Sequence, residues 1–237
     1  MTFLVVIPVR NEVANLPAVV RELRECWPDV EIVVVDDAST DSTGSAIAGL
    51  HVRLLRLPQH LGLGGAMRAG LRYAQSLGHE VVVRVDGDGQ HRPDQIGHLL
   101  GPISDGCADA VQGSRYSGSR SYASDGVRRL GQRLLGLLLS ALVQQKISDP
   151  TSGFWVFGPR AVRLLAAHHP TGYPEPELLL LLRRNGLRVA EVPVQMRGRL
   201  SGRSSLTVPR ALVALGRVLL AMVVVPLRAV VEAPARD

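Results

Sequence analysis

The sequence predicts an α/β fold in which a mostly parallel β-sheet is flanked by helices. Two observations support this prediction. In the first half of the chain, short runs rich in Val, Ile and Leu alternate with longer amphipathic stretches, and an order of strand, crossover helix and strand produces parallel neighbours. The short runs are also apolar at successive positions, which is typical of strands that are buried on both faces.

Four strands are predicted in the first half, and helical stretches separate them. The strands comprise residues 3–7, 31–35, 52–57 and 80–85. Helical periodicity extends over 13–26, 42–50 and 65–77. Thr40 or Asp41 is expected to cap the second of these helices, because both residue types are favoured at that position.

The second half is less regular. A short strand is predicted at 110–112, an apolar helix at 127–145, a turn and strand at 149–157, a Leu-rich helix at 176–185 and a last strand at 187–196. A stretch rich in Ser, Gly, Tyr and Arg at 117–126 and an Arg/Gly/Ser loop at 197–205 connect them. Internal repeats are not seen.

Length and composition favour one domain with an appendage. The chain has 237 residues, of which 46% are hydrophobic, so disorder and collagen-like repeats are excluded. Its two cysteines, Cys26 and Cys107, are far apart in sequence. This argues against a disulfide framework or a zinc site and fits a reducing cytosol. We expect a globular domain over 1–205 and an amphipathic tail over 206–237, without a signal peptide.

The predicted tail is rich in Leu, Val and Ala. Its longest uncharged run, 218–227, has ten residues and includes Pro226, whereas a membrane-spanning helix needs about 20 apolar residues. Three arginines, Arg210, Arg217 and Arg228, fall near one helical face. The pattern indicates a helix lying in a membrane interface; the alternative is a helix docked on the core with a solvated Arg face.

The net charge of +6 is distributed unevenly. The first 114 residues hold nine arginines against 14 acidic residues, whereas the remainder holds 17 arginines and one lysine against seven acidic residues. A basic second half indicates a polyanionic partner or a membrane surface. Aromatic residues make up only 4% of the chain and do not interleave with the arginines, so we expect no nucleic-acid partner.

Polar clusters follow three of the predicted strands, where ligands bind in open parallel sheets. Asp86-Gly87-Asp88 follows the fourth strand. Two carboxylates can hold a divalent cation, the glycine lets a diphosphate approach, and Gln90 and His91 could complete the ligand set. The alternative is a solvated acidic turn.

A second cluster, Asp36-Asp37, follows the second strand. These carboxylates could accept hydrogen bonds from a base or a ribose hydroxyl, or one of them could only cap a helix. The Gly-rich segment 60–65 precedes a helix, but its spacing fits neither a Rossmann fingerprint nor a P-loop, which favours a tight turn.

These motifs together resemble glycosyltransferase family 2. The matching segments are 6–12, 34–41 and 85–93. Four later segments resemble the polyprenyl-phosphate sugar synthases, relatives of dolichol-phosphate mannose synthase, and they are 113–116, 149–154, 191–194 and 199–205. The family loop often ends in Ser-Lys, whereas this one ends in Ser204-Ser205.

The resemblance implies a GT-A fold and an inverting, metal-dependent transfer of a hexosyl or N-acetylhexosaminyl group from a nucleotide sugar, GDP- or UDP-linked. The acceptor would be a polyprenyl phosphate of the dolichol, undecaprenyl or decaprenyl type. The alternative acceptor is a sugar hydroxyl in a polysaccharide or natural product. The enzyme would work as a peripheral protein on the cytoplasmic face of the plasma membrane, with or without a small membrane subunit.

The resemblance also assigns roles to individual residues. The nucleotide-sugar donor would be bound by Pro8, Arg10, Glu12, Val35, Asp36, Asp37, Asp86 and Gly87. Mg²⁺ or Mn²⁺ would be bound by Asp86, Asp88 and Gln90. The acceptor phosphate would be bound by Arg115, Arg199, Arg203 and Ser204. The catalytic residues would be Asp88, Asp149, Arg115 and Arg199.

Two of the expected roles have structural alternatives. Asp149 is the candidate acceptor-side carboxylate, but an aspartate before Pro150 is equally typical of a turn. Glu177 is expected to orient an arginine, or to be a surface residue.

Overall fold

A computed structural model describes residues 1–116, 126–171 and 174–198, with backbone alone for 126–130 and Pro174. The predicted tail lies outside the described residues, as do Arg199, Arg203 and Ser204 of the 197–205 loop.

Seven strands and seven α-helices are described. The strands are β1 (Leu4–Val9), β2 (Glu31–Asp36), β3 (Arg53–Arg56), β4 (Val82–Arg84), β5 (Ala110–Ser114), β6 (Trp155–Phe157) and β7 (Val189–Pro193). The helices are α1 (Leu16–Cys26), α2 (Thr43–Ala46), α3 (Gly62–Ser76), α4 (Ile96–Ser104), α5 (Gly126–Val143), α6 (Pro159–His168) and α7 (Pro174–Arg184), and a 3₁₀ turn, Pro93–Gln95, precedes α4.

The strands form one sheet in the order β3-β2-β1-β4-β6-β5-β7. The pairs β3–β2, β2–β1, β1–β4 and β5–β7 are parallel, and only β6 runs antiparallel to both of its neighbours. The prediction of a mostly parallel α/β sheet is therefore confirmed. Because the other six strands run in one direction, their carboxyl ends share one edge of the sheet.

Alternation along the strands divides the core into two layers. In β1, Leu4 and Val6 face one layer, whereas Val5 and Ile7 face the other, and all four are buried. Helices cover both layers because their apolar residues recur at helical spacing, as α1 shows with Leu16, Val19, Val20 and Leu23. The sheet is thus buried on both faces, and the loops at its carboxyl edge remain accessible.

Three details differ from the sequence prediction. Helices α4 and α6 were not predicted, and α2 is shorter than expected. The predicted cap of α2 at Thr40 or Asp41 is wrong, since Ser42 occupies that position. The Asp41 carboxylate accepts a hydrogen bond from the Thr43 backbone N–H at 2.9 Å. This bond forms an Asx turn directly before the helix.

Candidate active site

The loops after β1 and β2 are bonded to each other. The Asn11 N–H donates to the Ser39 hydroxyl at 3.0 Å, and the Thr40 N–H donates to Asn11 Oδ1 at 2.8 Å. The Glu12 N–H donates to the Thr43 hydroxyl at 2.9 Å. These bonds set Arg10 and Glu12 on a fixed rim, where Arg10 is exposed and Glu12 is half-buried.

The two aspartates after β2 have different local partners. Asp36 is fully buried and accepts from the Ser39 N–H at 2.8 Å and from Arg56 Nε at 3.1 Å. Asp37 accepts from two backbone N–H groups, Leu61 at 2.7 Å and Gly62 at 2.9 Å.

Asp37 also contacts His60, with 2.6 Å between Nδ1 and Oδ2. It therefore caps α3, the helix that begins at Gly62. This is the capping alternative that the sequence left open. The predicted tight turn at 60–65 is wrong for its last four residues, since they form the first turn of α3, which begins at Gly62.

Pro8 and Val35 lie inside β1 and β2 and pair with each other in register. Both are buried, and Val35 belongs to the hydrophobic core. Both residues therefore lie within the buried sheet beneath the site. The predicted donor role of these two residues stays a prediction.

Asp86, Gly87 and Asp88 follow β4 at the same edge of the sheet. Asp86 is 30% exposed, whereas Asp88 is buried and accepts from the Gln90 N–H at 3.0 Å. A Cβ on Gly87 would lie 2.6 Å from Val9 Cγ1. Close packing against β1 already requires glycine there, whether or not a diphosphate approaches it.

His91 supports this loop from inside the protein. Its Nδ1 accepts from the Asp86 N–H at 3.0 Å, and its ring stacks on Phe154 with 4.7 Å between the centroids. Burial lowers the pKa of His91, which favours the neutral imidazole that can accept this bond. The imidazole therefore orders the loop, a role different from the ligand role expected from sequence.

The donor set fits a hard divalent cation. Asp86, Asp88 and Gln90 offer carboxylate and amide oxygens, the ligand type that Mg²⁺ and Mn²⁺ prefer. Across the described residues, no group of three or more His, Cys, Asp and Glu side chains could hold a metal. So sparse a protein set suits a cation that completes its shell with substrate phosphates and water.

Arg84, which no sequence motif singled out, lies buried behind loop 86–90 with its side chain 1% exposed. This loop is termed the metal loop because it carries the candidate metal ligands. Its Nε donates to Asp86 Oδ1 at 2.9 Å, and its Nη2 donates to Glu175 Oε1 at 3.1 Å. Burial raises the pKa of Glu175, although the Arg84 charge opposes this rise. The sequence does carry a signal for Arg84, since it is the only charged residue in the apolar run 81–85. A buried cation requires an oppositely charged partner, so its position in this run indicates a buried ion pair.

Arg115, after β5, forms a two-pronged ion pair with Asp149. Nε lies 2.7 Å from Oδ2 and Nη2 lies 2.7 Å from Oδ1, and the Arg115 N–H also donates to Oδ2 at 3.0 Å. Asp149 is fully buried. Its carboxylate therefore acts on the site by holding Arg115, and a direct role toward the acceptor stays a prediction.

Further polar groups fix this pair in place. Arg115 Nη2 donates to the Thr151 hydroxyl at 2.9 Å. Glu191 of β7 accepts from the backbone N–H groups of Ser148, at 2.9 Å, and Asp149, at 3.1 Å. The Glu191 segment singled out in the sequence thus supports the loop that carries Asp149.

Arg197 joins the last described segment to the metal loop. Its Nε donates to the Gly89 carbonyl at 2.6 Å, its backbone N–H donates to the Gln90 carbonyl at 3.2 Å, and its guanidinium pairs with Glu22 of α1. The described part of the chain therefore ends close to Gly89 and Gln90. The sequence pattern did not distinguish this arginine from its neighbours.

A mostly parallel sheet, with paired carboxylates after a buried strand and ion-paired arginines at the same edge, defines an α/β protein whose ligands bind at the carboxyl ends of its strands. The chain belongs to glycosyl transferase family 2, whose family model matches residues 4–164. The resemblance seen in the sequence is thereby confirmed.

Comparisons with individual proteins extend over most of the chain. It is 32% identical over 216 residues to undecaprenyl-phosphate mannosyltransferase of Micrococcus luteus, covering 87% of this chain and 88% of that one. It is 32% identical over 214 residues to polyprenol monophosphomannose synthase of Mycolicibacterium smegmatis, covering 86% and 80%.

The fold is also similar to a solved structure. Glucosyl-3-phosphoglycerate synthase of Mycobacterium tuberculosis, in complex with Mn²⁺, UDP-glucose and phosphoglyceric acid, has a TM-score of 0.72 at 23% identity, covering 94% of this chain and 79% of that one. This similarity shows the GT-A fold.

Proposed function

We propose that this protein transfers a sugar from a nucleoside-diphosphate sugar to a polyprenyl phosphate in a reaction that depends on a divalent cation. The observation that carries the proposal is similarity over more than four-fifths of the chain to two enzymes, one named for mannosyl transfer with undecaprenyl phosphate and the other for the synthesis of polyprenol monophosphomannose. Both names also specify mannose, so a mannosyl donor is the first choice for this chain.

Asp86, Asp88 and Gln90 are the residues that would hold Mg²⁺ or Mn²⁺. The cation would offset the charge that develops on the departing diphosphate. Its presence with UDP-glucose in the M. tuberculosis structure supports this assignment. Arg10, which is exposed, and Glu12, which is half-buried, would contact the donor from the rim after β1.

On the acceptor side of the site, a positive charge that binds the phosphate matters more than a general base. A phosphate monoester is ionised near neutral pH, so its oxygen can attack the sugar without a strong general base. The Arg115–Asp149 pair supports this mode, since the carboxylate holds a guanidinium that suits a phosphate. Attack from the face opposite the leaving diphosphate inverts the anomeric centre.

We further propose that the catalytic domain spans 1–205 and that the tail, 206–237, lies in the interface of the cytoplasmic leaflet. The arginine stripe and the high Leu, Val and Ala content of the tail support this. Among the described helices, none is long and apolar enough to cross a membrane. Attachment through a small membrane subunit is the second possibility to test.

The test is sugar transfer by the full chain. Radiolabelled GDP-mannose, UDP-glucose and UDP-N-acetylglucosamine are incubated with decaprenyl phosphate in detergent, with Mn²⁺, Mg²⁺ or EDTA. We expect metal-dependent formation of a lipid-linked sugar. Transfer to a soluble sugar hydroxyl, with no lipid product from any donor, would overturn the proposal in favour of a polysaccharide or glycoside enzyme.

Two variants sharpen this assay. Asp88→Asn should abolish metal-dependent transfer, because it removes a charged ligand from a sparse set. Asp105→Asn, at an exposed aspartate at the end of α4, is the matched control and should be as active as the parent.

A further inference from the structure

The segment that follows β7 lies against the chain directly after the metal loop. Met196 pairs with His91 in an antiparallel β-bridge. The Gln195 N–H donates to Gln95 Oε1 at 3.2 Å, and Arg92 Nη1 donates to Gln195 Oε1 at 3.2 Å. Residues about 100 positions apart in sequence are therefore joined beside the candidate metal ligands.

Arg197 extends this contact into the metal loop itself. Its backbone N–H donates to the Gln90 carbonyl at 3.2 Å, and its Nε donates to the Gly89 carbonyl at 2.6 Å. The Gln90 N–H in turn donates to the buried Asp88 carboxylate at 3.0 Å. The main chain of Gln90 is therefore bonded to Asp88 on one side and to Arg197 on the other.

The composition of the metal loop makes such contacts important. Two of its five residues, Gly87 and Gly89, are glycines that flank Asp88. Gly89 has a φ of +78°, a conformation that glycine adopts without a steric penalty. Glycine also loses more conformational freedom on ordering than any other residue, so this loop is ordered only where fixed contacts offset that loss. Arg197 provides two of these contacts.

Glu22 of α1 holds the Arg197 guanidinium in place. Nη1 lies 3.1 Å from Glu22 Oε1, and Nη2 pairs with the second carboxylate oxygen. Nε is bonded to Gly89, so each of the three guanidinium nitrogens has a protein partner. The guanidinium thus connects α1 to the metal loop.

This ion pair is placed where its effect on the fold is small. The Arg197 and Glu22 side chains are 34% and 30% exposed, and partly exposed ion pairs contribute little to global stability. The consequence of removing the pair is therefore expected in the loop that Arg197 holds, and much less in the unfolding of the whole domain.

We propose that Arg197 is a positioning residue for the divalent cation, because it fixes the main chain of the ligand residue Gln90 before the cation binds. A loop that is already ordered loses less conformational freedom on binding. Groups that support a metal ligand typically change metal affinity about 10–100-fold when they are removed. The inference rests on the proposed function in that Asp86, Asp88 and Gln90 bind the cation.

The charge of Arg197 and its positioning role have opposite effects on metal affinity. A guanidinium near a cation site repels the cation, so loss of its charge alone would lower the Kd for Mn²⁺. Arg197→Met removes this charge together with the side-chain bonds to Gly89 and Glu22, and it keeps an unbranched stem. Loss of positioning should raise the Kd by about tenfold or more. The direction of the change therefore distinguishes the two effects.

The binding test is calorimetric titration of the full chain with Mn²⁺ in the presence of GDP or UDP. The matched control is Arg188→Met. Arg188 is 42% exposed and pairs with Asp109, and both residues directly precede strands, at the edge of the sheet opposite the site. The control should bind Mn²⁺ like the parent. An Arg197→Met variant that binds Mn²⁺ as tightly as the parent, or more tightly, would overturn the proposal.

Hydrogen exchange tests the same role without metal. The backbone amides of residues 88–91 should exchange faster in Arg197→Met than in the parent, since the loop opens more often. Arg188→Met should leave their exchange unchanged. Equal exchange of these amides in the parent and in Arg197→Met would contradict the positioning role.

A double-mutant cycle tests whether Glu22 acts through Arg197. Glu22→Gln should raise the Kd for Mn²⁺ less than Arg197→Met does, because the bond from Arg197 to Gly89 persists. The double variant Arg197→Met/Glu22→Gln should have the same Kd as Arg197→Met. Additive effects of the two substitutions would show that Glu22 influences the cation independently, against the proposal.

Kinetics separate this inference from the proposed function. Arg197→Met should raise the Mn²⁺ concentration for half-maximal sugar transfer by about tenfold or more, with kcat at saturating Mn²⁺ within about twofold of the parent. A lower kcat with an unchanged Mn²⁺ requirement would overturn the role of Arg197 alone. Failure of the parent to bind Mn²⁺ contradicts the proposed function, while the hydrogen-exchange comparison still tests whether Arg197 orders the loop.

Discussion

Arg84 holds the Asp86 carboxylate from inside the protein, with 2.9 Å between Nε and Oδ1 and 3.4 Å between Nη2 and Oδ2. The guanidinium is buried and also contacts Glu175. Groups that orient a metal ligand from behind typically change metal affinity by about 10–100-fold when they are removed. Arg84 is therefore expected to be a positioning residue for the metal loop.

Arg84→Met should raise the Kd for Mn²⁺ by at least about tenfold, measured by calorimetry with nucleoside diphosphate present. It should also lower the free energy of unfolding by about 3–5 kcal/mol, because Glu175 is left as an unpaired buried carboxylate. Urea denaturation measures the second effect.

The double variant Arg84→Met/Glu175→Leu distinguishes positioning from stability. Removing both charges should restore most of the free energy of unfolding, while the Kd for Mn²⁺ stays high because Asp86 is still unsupported. A double variant that binds Mn²⁺ like the parent would show that Arg84 serves only to neutralise Glu175.

Gly153 packs against the Arg84–Asp86 ion pair and leaves no room for a side chain. A Cβ at this position would lie 2.6 Å from Arg84 Nη2 and 2.7 Å from Asp86 Oδ2. Gly153→Ala should therefore displace the pair, lower stability by about 1–3 kcal/mol and raise the Kd for Mn²⁺.

The control for Gly153→Ala is Gly97→Ala in α4, where a Cβ meets nothing within 4 Å. Alanine there should be neutral or add up to about 1 kcal/mol of stability. Metal binding should stay unchanged. Comparable Mn²⁺ affinity in the two alanine variants would contradict the role given to Gly153.

Asp149 should act through Arg115. Asp149→Asn removes the charge that faces a buried guanidinium, so the free energy of unfolding should fall by about 3 kcal/mol. The rate of transfer should fall as Arg115 loses its orientation, but the shape of the pH–rate profile should persist. Loss of the acidic limb of that profile in Asp149→Asn would instead identify Asp149 as the general base.

The sequence predicted the parallel half of the fold because its signals are local. Apolar runs, helical periodicity and polar strand ends all lie within a few residues of one another. The antiparallel insertion of β6 between β4 and β5 depends on pairings such as Val83 with Val156, and no local pattern specifies such a partner.

Two missed helices have different explanations. Helix α6 begins with Pro159 and buries Ala161, Val162, Leu164 and Leu165, so its start signal and periodicity were readable. Helix α4 contains Pro102 and two glycines, which predict interruption. Its packing of Ile96, Leu99 and Ile103 outweighs those propensities.

The site was predictable by position but less so by role. The motifs correctly placed Asp86 and Asp88 at the sheet edge beside the loops after β1 and β2. They did not show that Asp37 caps α3 or that Asp149 binds Arg115, since both depend on residues more than 20 positions away. A carboxylate next to a strand end looks the same in sequence whether its partner is protein or substrate.

His169 should make stability depend on pH. It follows α6, is 3% exposed, and shares a 2.9 Å hydrogen bond between Nδ1 and the Pro170 carbonyl, whereas its Nε2 has no partner among the described residues.

Burial lowers the pKa of His169 to about 4 from 6.5. Between these values the unfolded chain binds a proton that the folded protein does not. The free energy of unfolding should therefore fall as pH decreases from about 6.5 to 4, by up to about 3 kcal/mol. Above pH 7 the effect vanishes, because both states are neutral at this residue. Urea denaturation of His169→Phe should show a shallower slope in this window, whereas His168→Gln, at the exposed neighbour, should retain the slope of the parent. A parent slope that His169→Phe leaves unchanged would assign the acid sensitivity to other groups.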